Sequence, residues 1–321
     1  MDIMIKLLHS YYNNPSKDKK SMNIDQLNND YRVADQLKFV TGKGGLPFIV
    51  IRNQSATALI SLHGGQIVSY KPIAEEADML FLSSKSSYED DKAIRGGIPV
   101  CWPWFGPDPK GLQRPNHGFV RSHLWKVLSA ATTDTETKVS LQFIESQKKE
   151  KTWKQPFTLK LEFTIGKTLG LEMISHNTGD SPFSITQAFH TYFQVGDINQ
   201  VQVLGLAGCA YFDKLDQGKE KTQTGAVTIA EEVDRIYMNV DNLLTVIDPV
   251  FKRRIEIASQ HCKTGVVWNP WQKTSRKMAD LNNQDYKHFV CVETGNIAFD
   301  LIKIPPGGEH SLLTNFKILR D

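Results

Sequence analysis

Apolar and polar residues alternate in short runs along most of this chain, and that period of two constrains the fold more than any other feature. Trp125-Lys126-Val127-Leu128, Val139-Ser140-Leu141-Gln142-Phe143 and Thr158-Leu159-Lys160-Leu161-Glu162-Phe163 each read as half-buried antiparallel strands. Residues 48–52 and 57–62 form a similar pair across Asn53-Gln54-Ser55. Leu171–His176 runs into the turn cluster Asn177-Thr178-Gly179-Asp180-Ser181-Pro182, and a further strand is expected over Phe183–Phe193. Helical periodicity is scarce: short helices are expected at Ser275–Leu281 and Met22–Tyr31. Many turn-separated strands without βα alternation predict an all-β fold, a large antiparallel β-sandwich with a few short helices.

Bulk properties narrow the function classes. Apolar residues make up 40% of the 321-residue chain and charged residues 23%, enough for a sizeable soluble core. The net charge of +3 comes from scattered lysines and arginines, without the dense basic stripe and interleaved aromatics of a nucleic-acid footprint. No apolar run approaches the roughly 18 residues of a membrane span. Cys101, Cys209, Cys262 and Cys291 lie far apart, which predicts free thiols and a cytoplasmic setting. Residues 1–30 read as a polar, flexible leader, and residues 31–321, with no linker-like break or internal repeat, as a single sandwich domain. A monomer is expected.

One segment breaks the strand pattern. Ile94-Arg95-Gly96-Gly97-Ile98-Pro99-Val100-Cys101-Trp102-Pro103-Trp104-Phe105-Gly106-Pro107 can be neither helix interior nor central strand, because proline removes backbone donors and glycine invites unusual dihedrals. Its aromatics argue for a rigid surface that presents Arg95. The compact cluster Asn116-His117-Gly118-Phe119-Val120-Arg121 follows it. Two arginines near a histidine and aromatic faces suggest a pocket for an anionic, partly apolar small molecule. Guanidinium carries planar paired donors that match phosphate oxygens, although a surface arginine in an ion pair is an equal alternative for either one. His190, in Ala188-Phe189-His190-Thr191-Tyr192-Phe193, reads on its own as a core histidine. Glu293 shares strand parity with Phe289 and Cys291, so it stands either at an exposed strand end or in a deliberate burial. No metal-ligand spacing, dinucleotide loop, Walker loop or G-x-S-x-G elbow occurs, and no cofactor or metal is expected.

These clusters resemble the hexose-6-phosphate mutarotase (glucose-6-phosphate 1-epimerase) family, within the wider galactose-mutarotase-like group. Glu232-Val233-Asp234-Arg235-Ile236-Tyr237, Val267-Trp268-Asn269-Pro270-Trp271 and Val290-Cys291-Val292-Glu293-Thr294-Gly295-Asn296 continue the resemblance in order, over roughly residues 35–321. It implies interconversion of the α and β anomers of a hexose 6-phosphate without a cofactor, with His190 as general acid and Glu293 as general base. It also implies substrate contacts from Arg95, Asn116, His117, Arg121 and Asp234. Asn116 stands where relatives often carry glutamine, and the shorter side chain reduces its reach. Asp234 could instead belong to a solvated acidic run, and His117 could cap a turn. The alternatives are an epimerase for unphosphorylated aldoses, which has no use for two positioned guanidiniums, and a non-catalytic carbohydrate-binding sandwich, which needs no acid–base pair.

Overall fold

A computed structural model describes residues 22–144 and 153–320. The alternating runs form antiparallel strands close to their expected places. Trp125–Thr132, Thr137–Phe143, Phe157–Ile165 and Leu169–Asn177 pair in succession within a nine-stranded sheet, which Glu309–Arg320 continues by pairing onto Leu169–Asn177. Leu37–Thr41, Pro47–Arg52, Ala56–Ser61 and Gln66–Pro72 make a four-stranded sheet. An eight-stranded sheet holds, among others, Val233–Met238, Thr264–Asn269, Phe289–Asn296 and Gln187–Phe189. Phe163 and Met173, Phe189, Val267 and Val292, and Ile49 and Ile60 carry these three sheets into one shared core. The architecture is an all-β antiparallel sandwich.

Three expectations need correction. The strand expected over Phe183–Phe193 is three strands, Phe183–Ile185, Gln187–Phe189 and Tyr192–Gln194. Thr186 causes the first break: its N–H donates to the Pro103 carbonyl and its hydroxyl accepts from the Phe105 N–H, so Phe183–Ile185 pairs elsewhere, with Ile302–Ile304. His190 causes the second, because its N–H donates to Pro99 O at 3.0 Å. The helix expected at Ser275–Leu281 is a single turn at Trp271–Ser275, since the Asn269 side chain accepts the Trp271 N–H at 2.8 Å and starts the turn earlier. Finally, the boundary drawn at residue 30 cuts through a helix, Ile24–Tyr31, that packs on the sandwich. The Asn28 side chain bridges to both the N–H and the carbonyl of Phe39, and Met22, Leu27 and Tyr31 rest on the core. Residues 1–21 of the expected leader lie outside the described residues.

Candidate active site

The eight-stranded sheet has two different faces. Alternation sends Phe189, Phe193, Val290, Val292 and Val267 into the sandwich core. The same strands turn Tyr192, Cys291 and Trp268 to a separate small cluster on the other side. His190 and Glu293 follow that second parity. The register pairs Phe189 with Thr294 and Tyr192 with Cys291, so His190 stands opposite Glu293 across two neighbouring strands. His190 Nδ1 lies 3.2 Å from Glu293 Oε1. Glu293 is only 1% exposed, so the strand-end alternative falls.

Burial dominates the electrostatics of this pair. It pushes the Glu293 carboxyl well above its usual range, and Asp234 adds to the effect. Burial likewise holds His190 well below an ordinary imidazole, and the neighbouring His117 and the guanidiniums of Arg121 and Arg95 push it the same way. The ligand-free pair therefore favours a protonated carboxyl beside a neutral imidazole. Glu293 Oε2 and His190 Nδ1 make no well-aligned hydrogen bond. Two buried groups with unused bonding capacity, facing each other, are equipped to trade a proton with a bound molecule.

His117 is brought to the pair by a loop that closes on itself. Asp108 accepts the N–H groups of Lys110, Leu112 and Arg114 and pairs with the Arg114 guanidinium, which lies 4.0 Å from the Trp104 ring centre. Gly118 sits at φ +77°, where a Cβ would run into the Trp102 carbonyl, so this position needs glycine to let the loop return. His117 then donates its N–H to Gly106 O at 2.7 Å and accepts the Gly106 N–H on Nδ1 at 3.4 Å. Its ring centre lies 5.4 Å from that of His190. Burial, with Arg121, Lys214 and Arg95, lowers its pKa to about 3, so His117 is a neutral imidazole with its remaining proton on Nε2.

The two arginines line one cavity of about 240 Å³, together with Lys92, Ser87, Tyr192 and Asp280. Arg95 donates from Nε to Asp280 at 3.0 Å and from Nη1 to the Tyr192 hydroxyl at 2.8 Å. Burial opposes its charge, but Tyr192 and Asp280 outweigh that and raise its pKa further. Arg121 donates from Nη2 to Asn116 O at 2.8 Å, which makes the backbone, rather than the exposed side chain, the contact Asn116 offers there. Asp234 stands opposite Trp268 in the register and is paired with Lys214 Nζ at 3.0 Å. His190, Cys291 and Glu293 bring nitrogen, sulfur and oxygen atoms within 4.8 Å of one another. Arg95, Arg121 and Lys214 surround them with positive charge, which favours an anion over a metal cation.

This geometry meets its relatives at this point. The aldose 1-epimerase family matches residues 47–317. The chain belongs to that family. An Escherichia coli (strain K12) protein named "Putative glucose-6-phosphate 1-epimerase" is 38% identical over 78% of this chain and 83% of its own length. A protein of the same name from Cenchrus ciliaris is 34% identical over 85% of this chain and 84% of its own. The crystal structure of a "putative mutarotase" from Salmonella typhimurium superposes with a TM-score of 0.85 at 31% identity, covering 91% of this chain and 96% of that one.

Of the tryptophans that mark the epimerase motifs, only Trp268 has a ring contact with the pair, edge-on to His190 at 6.0 Å. Trp102 is core and bonds Ser175, Trp104 braces the His117 loop, and Trp271 packs on Tyr286. The motifs did not flag Asp280 or Lys214. Both sit in polar stretches where one more charge carries no signal, and only their fold partners, Arg95 and Asp234, reveal them.

Proposed function

We propose that this epimerase interconverts the α and β anomers of a hexose 6-phosphate, glucose 6-phosphate foremost, with Glu293 and His190 moving the protons and Arg95 and Arg121 gripping the phosphate. One observation carries this reading: two guanidiniums line a cavity whose wall includes Tyr192, and the Tyr192 ring stacks on the His190 of a buried imidazole–carboxyl pair. Guanidinium forks suit phosphate oxygens, and a neutral sugar gives them nothing to hold.

The reactive form has His190 as imidazolium and Glu293 as carboxylate. It holds the same single proton as the ligand-free pair. A dianionic phosphate offsets the charge of Arg95 and Arg121, which otherwise disfavours the imidazolium, and so draws the proton from Glu293 to His190. Glu293 then takes the proton of the anomeric hydroxyl. The C1–O5 bond breaks, its electron pair stays on O5, and His190 protonates that oxygen as the C1 carbonyl forms. Rotation about C1–C2 presents the other face, and the steps run backwards to the opposite anomer. His117, through Nε2–H, and Asp234, released from Lys214, are suited to hold sugar hydroxyls. Every group needed is a protein side chain, so the reading requires no cofactor. It extends to a monomer, and to a cytoplasmic setting that the four free cysteines support.

Anomer exchange followed by NMR on glucose 6-phosphate, with glucose and galactose as controls, tests this. A strong preference for the phosphate ester is expected; equal rates on the free sugars would overturn the phosphate assignment.

A further inference from the structure

We propose that Tyr192 is a positioning residue that ties the anion-gripping Arg95 to the imidazole of His190, so that phosphate binding and proton transfer are mechanically linked. This rests on the reading of the site given above and assigns a role to a side chain that moves no proton in it.

Tyr192 faces both ways. Its hydroxyl accepts from Arg95 Nη1 at 2.8 Å, and Asp280 accepts from Arg95 Nε at 3.0 Å, so the guanidinium that lines the cavity is held at two points. Its ring lies on His190 at 4.9 Å between centres and 9° between planes. The Tyr192 ring is itself fixed: Trp268 meets it edge-on at 6.0 Å, Phe289 packs at 5.3 Å, and its backbone bonds to Phe81 and Gly97. Beyond its 3.2 Å approach to Glu293, His190 has no aligned hydrogen bond at Nδ1, so packing against Tyr192, Trp268 and His117 contributes to its orientation. Tyr192 is the one residue that touches both the arginine and the imidazole among the contacts described. An anion that pulls on Arg95 pulls on the tyrosine stacked against the acid.

The hydroxyl and the ring can be separated by mutation. Tyr192→Phe keeps the ring and frees one side of Arg95. KM for glucose 6-phosphate should rise about 10-fold, as expected for losing one bond to a charged group, with a far smaller change in kcat and in glucose turnover. Competition by inorganic phosphate should weaken in parallel. Tyr192→Leu removes the ring, and kcat should fall about 10- to 100-fold on both substrates, as for a misplaced acid. Water then reaches His190 and relieves the burial that keeps its pKa low, so the acid limb of the kcat profile should move to higher pH. Both variants losing kcat and KM in the same proportion, with the acid limb unmoved, would reduce Tyr192 to packing and overturn the proposal. Should Tyr192→Leu fail to fold, Tyr192→Phe alone decides, because an unchanged KM with unchanged phosphate competition also overturns it. A wild-type enzyme indifferent to the phosphate sinks the phosphate reading instead, while the pH shift of Tyr192→Leu, measured on free sugar, still tests the link to His190.

Discussion

The two faces of the eight-stranded sheet are made by the same strands and differ in almost everything else. On the core face stand Phe189 and Phe193, while Ala188, His190 and Tyr192 of the same run face outward. The core face is nearly all hydrocarbon and contributes cohesion. The outward face holds an imidazole, a carboxyl, a thiol and an indole, with polar atoms left short of partners. Burial works in both directions here: it stabilises one face and, on the other, holds two titratable groups away from their ordinary pKa values. A substitution should therefore report either on stability or on catalysis according to its parity.

The sharpest break of this comparison is His190→Ala or Glu293→Gln. Each should lower anomer exchange by at least about 10²-fold while leaving the fold intact. On the proposed mechanism, activity in the wild type needs one proton on the pair. It should fall on the acid side only well below the ordinary imidazole value, where His190 takes a second proton. It should fall on the alkaline side well above the ordinary carboxyl value, where Glu293 gives its proton up. Initial rates across pH check both limbs, and near-full activity in either variant removes that residue from the mechanism.

Phe193→Ala on the core face should do the reverse. It leaves a cavity beside Phe316 and should cost about 3–5 kcal/mol in denaturant unfolding, while the folded fraction keeps its turnover. A large fall in kcat at modest cost in stability would contradict the division between faces.

Arg95→Ala and Arg121→Ala sharpen the picture within the outward side. Each should cost roughly 1.5–3 kcal/mol, about 10- to 150-fold in kcat/KM for glucose 6-phosphate, and much less for glucose. Lysine at either position should restore only part. Equal losses on both substrates would mean that the arginines serve the sugar ring or the fold.

The smallest expected effect concerns stability against pH. Because the folded Glu293 pKa lies above its unfolded value, its contribution is fully present at acid pH and is lost as pH rises through the folded value. Glu293→Gln does not ionise, so its melting temperature relative to wild type should climb by a few degrees toward alkaline pH. A difference that stays flat from acid to alkaline pH would argue against a buried, proton-holding carboxyl.

Much of this was legible in the sequence, and the limits have physical causes. Period-2 alternation found the strands because each has one wet or separate face and one core face. Parity put Glu293 with Cys291, and the Pro/Gly/Trp segment announced a rigid presentation of Arg95. What alternation cannot say is which strand lies beside which. That His190 faces Glu293 follows from pairing between segments about a hundred residues apart, and only the register reveals it. The early helix turn has a local sign in Asn269-Pro270, which the helical periodicity of the residues after it outweighs. Asp280 and Lys214 offered no local sign, since their meaning is the company they keep.

His117 leads to a practical consequence. Its Nδ1 is claimed by a backbone amide, and its pKa is held at about 3, so over the range in which an enzyme works its ring does not change state. The site thus contains a silent histidine beside a responsive one, their centres 5.4 Å apart. In a nitrogen-15 spectrum of the ligand-free imidazoles, His117 should serve as the reference, and any drift of His190 against it follows the proton proposed to move in the reaction.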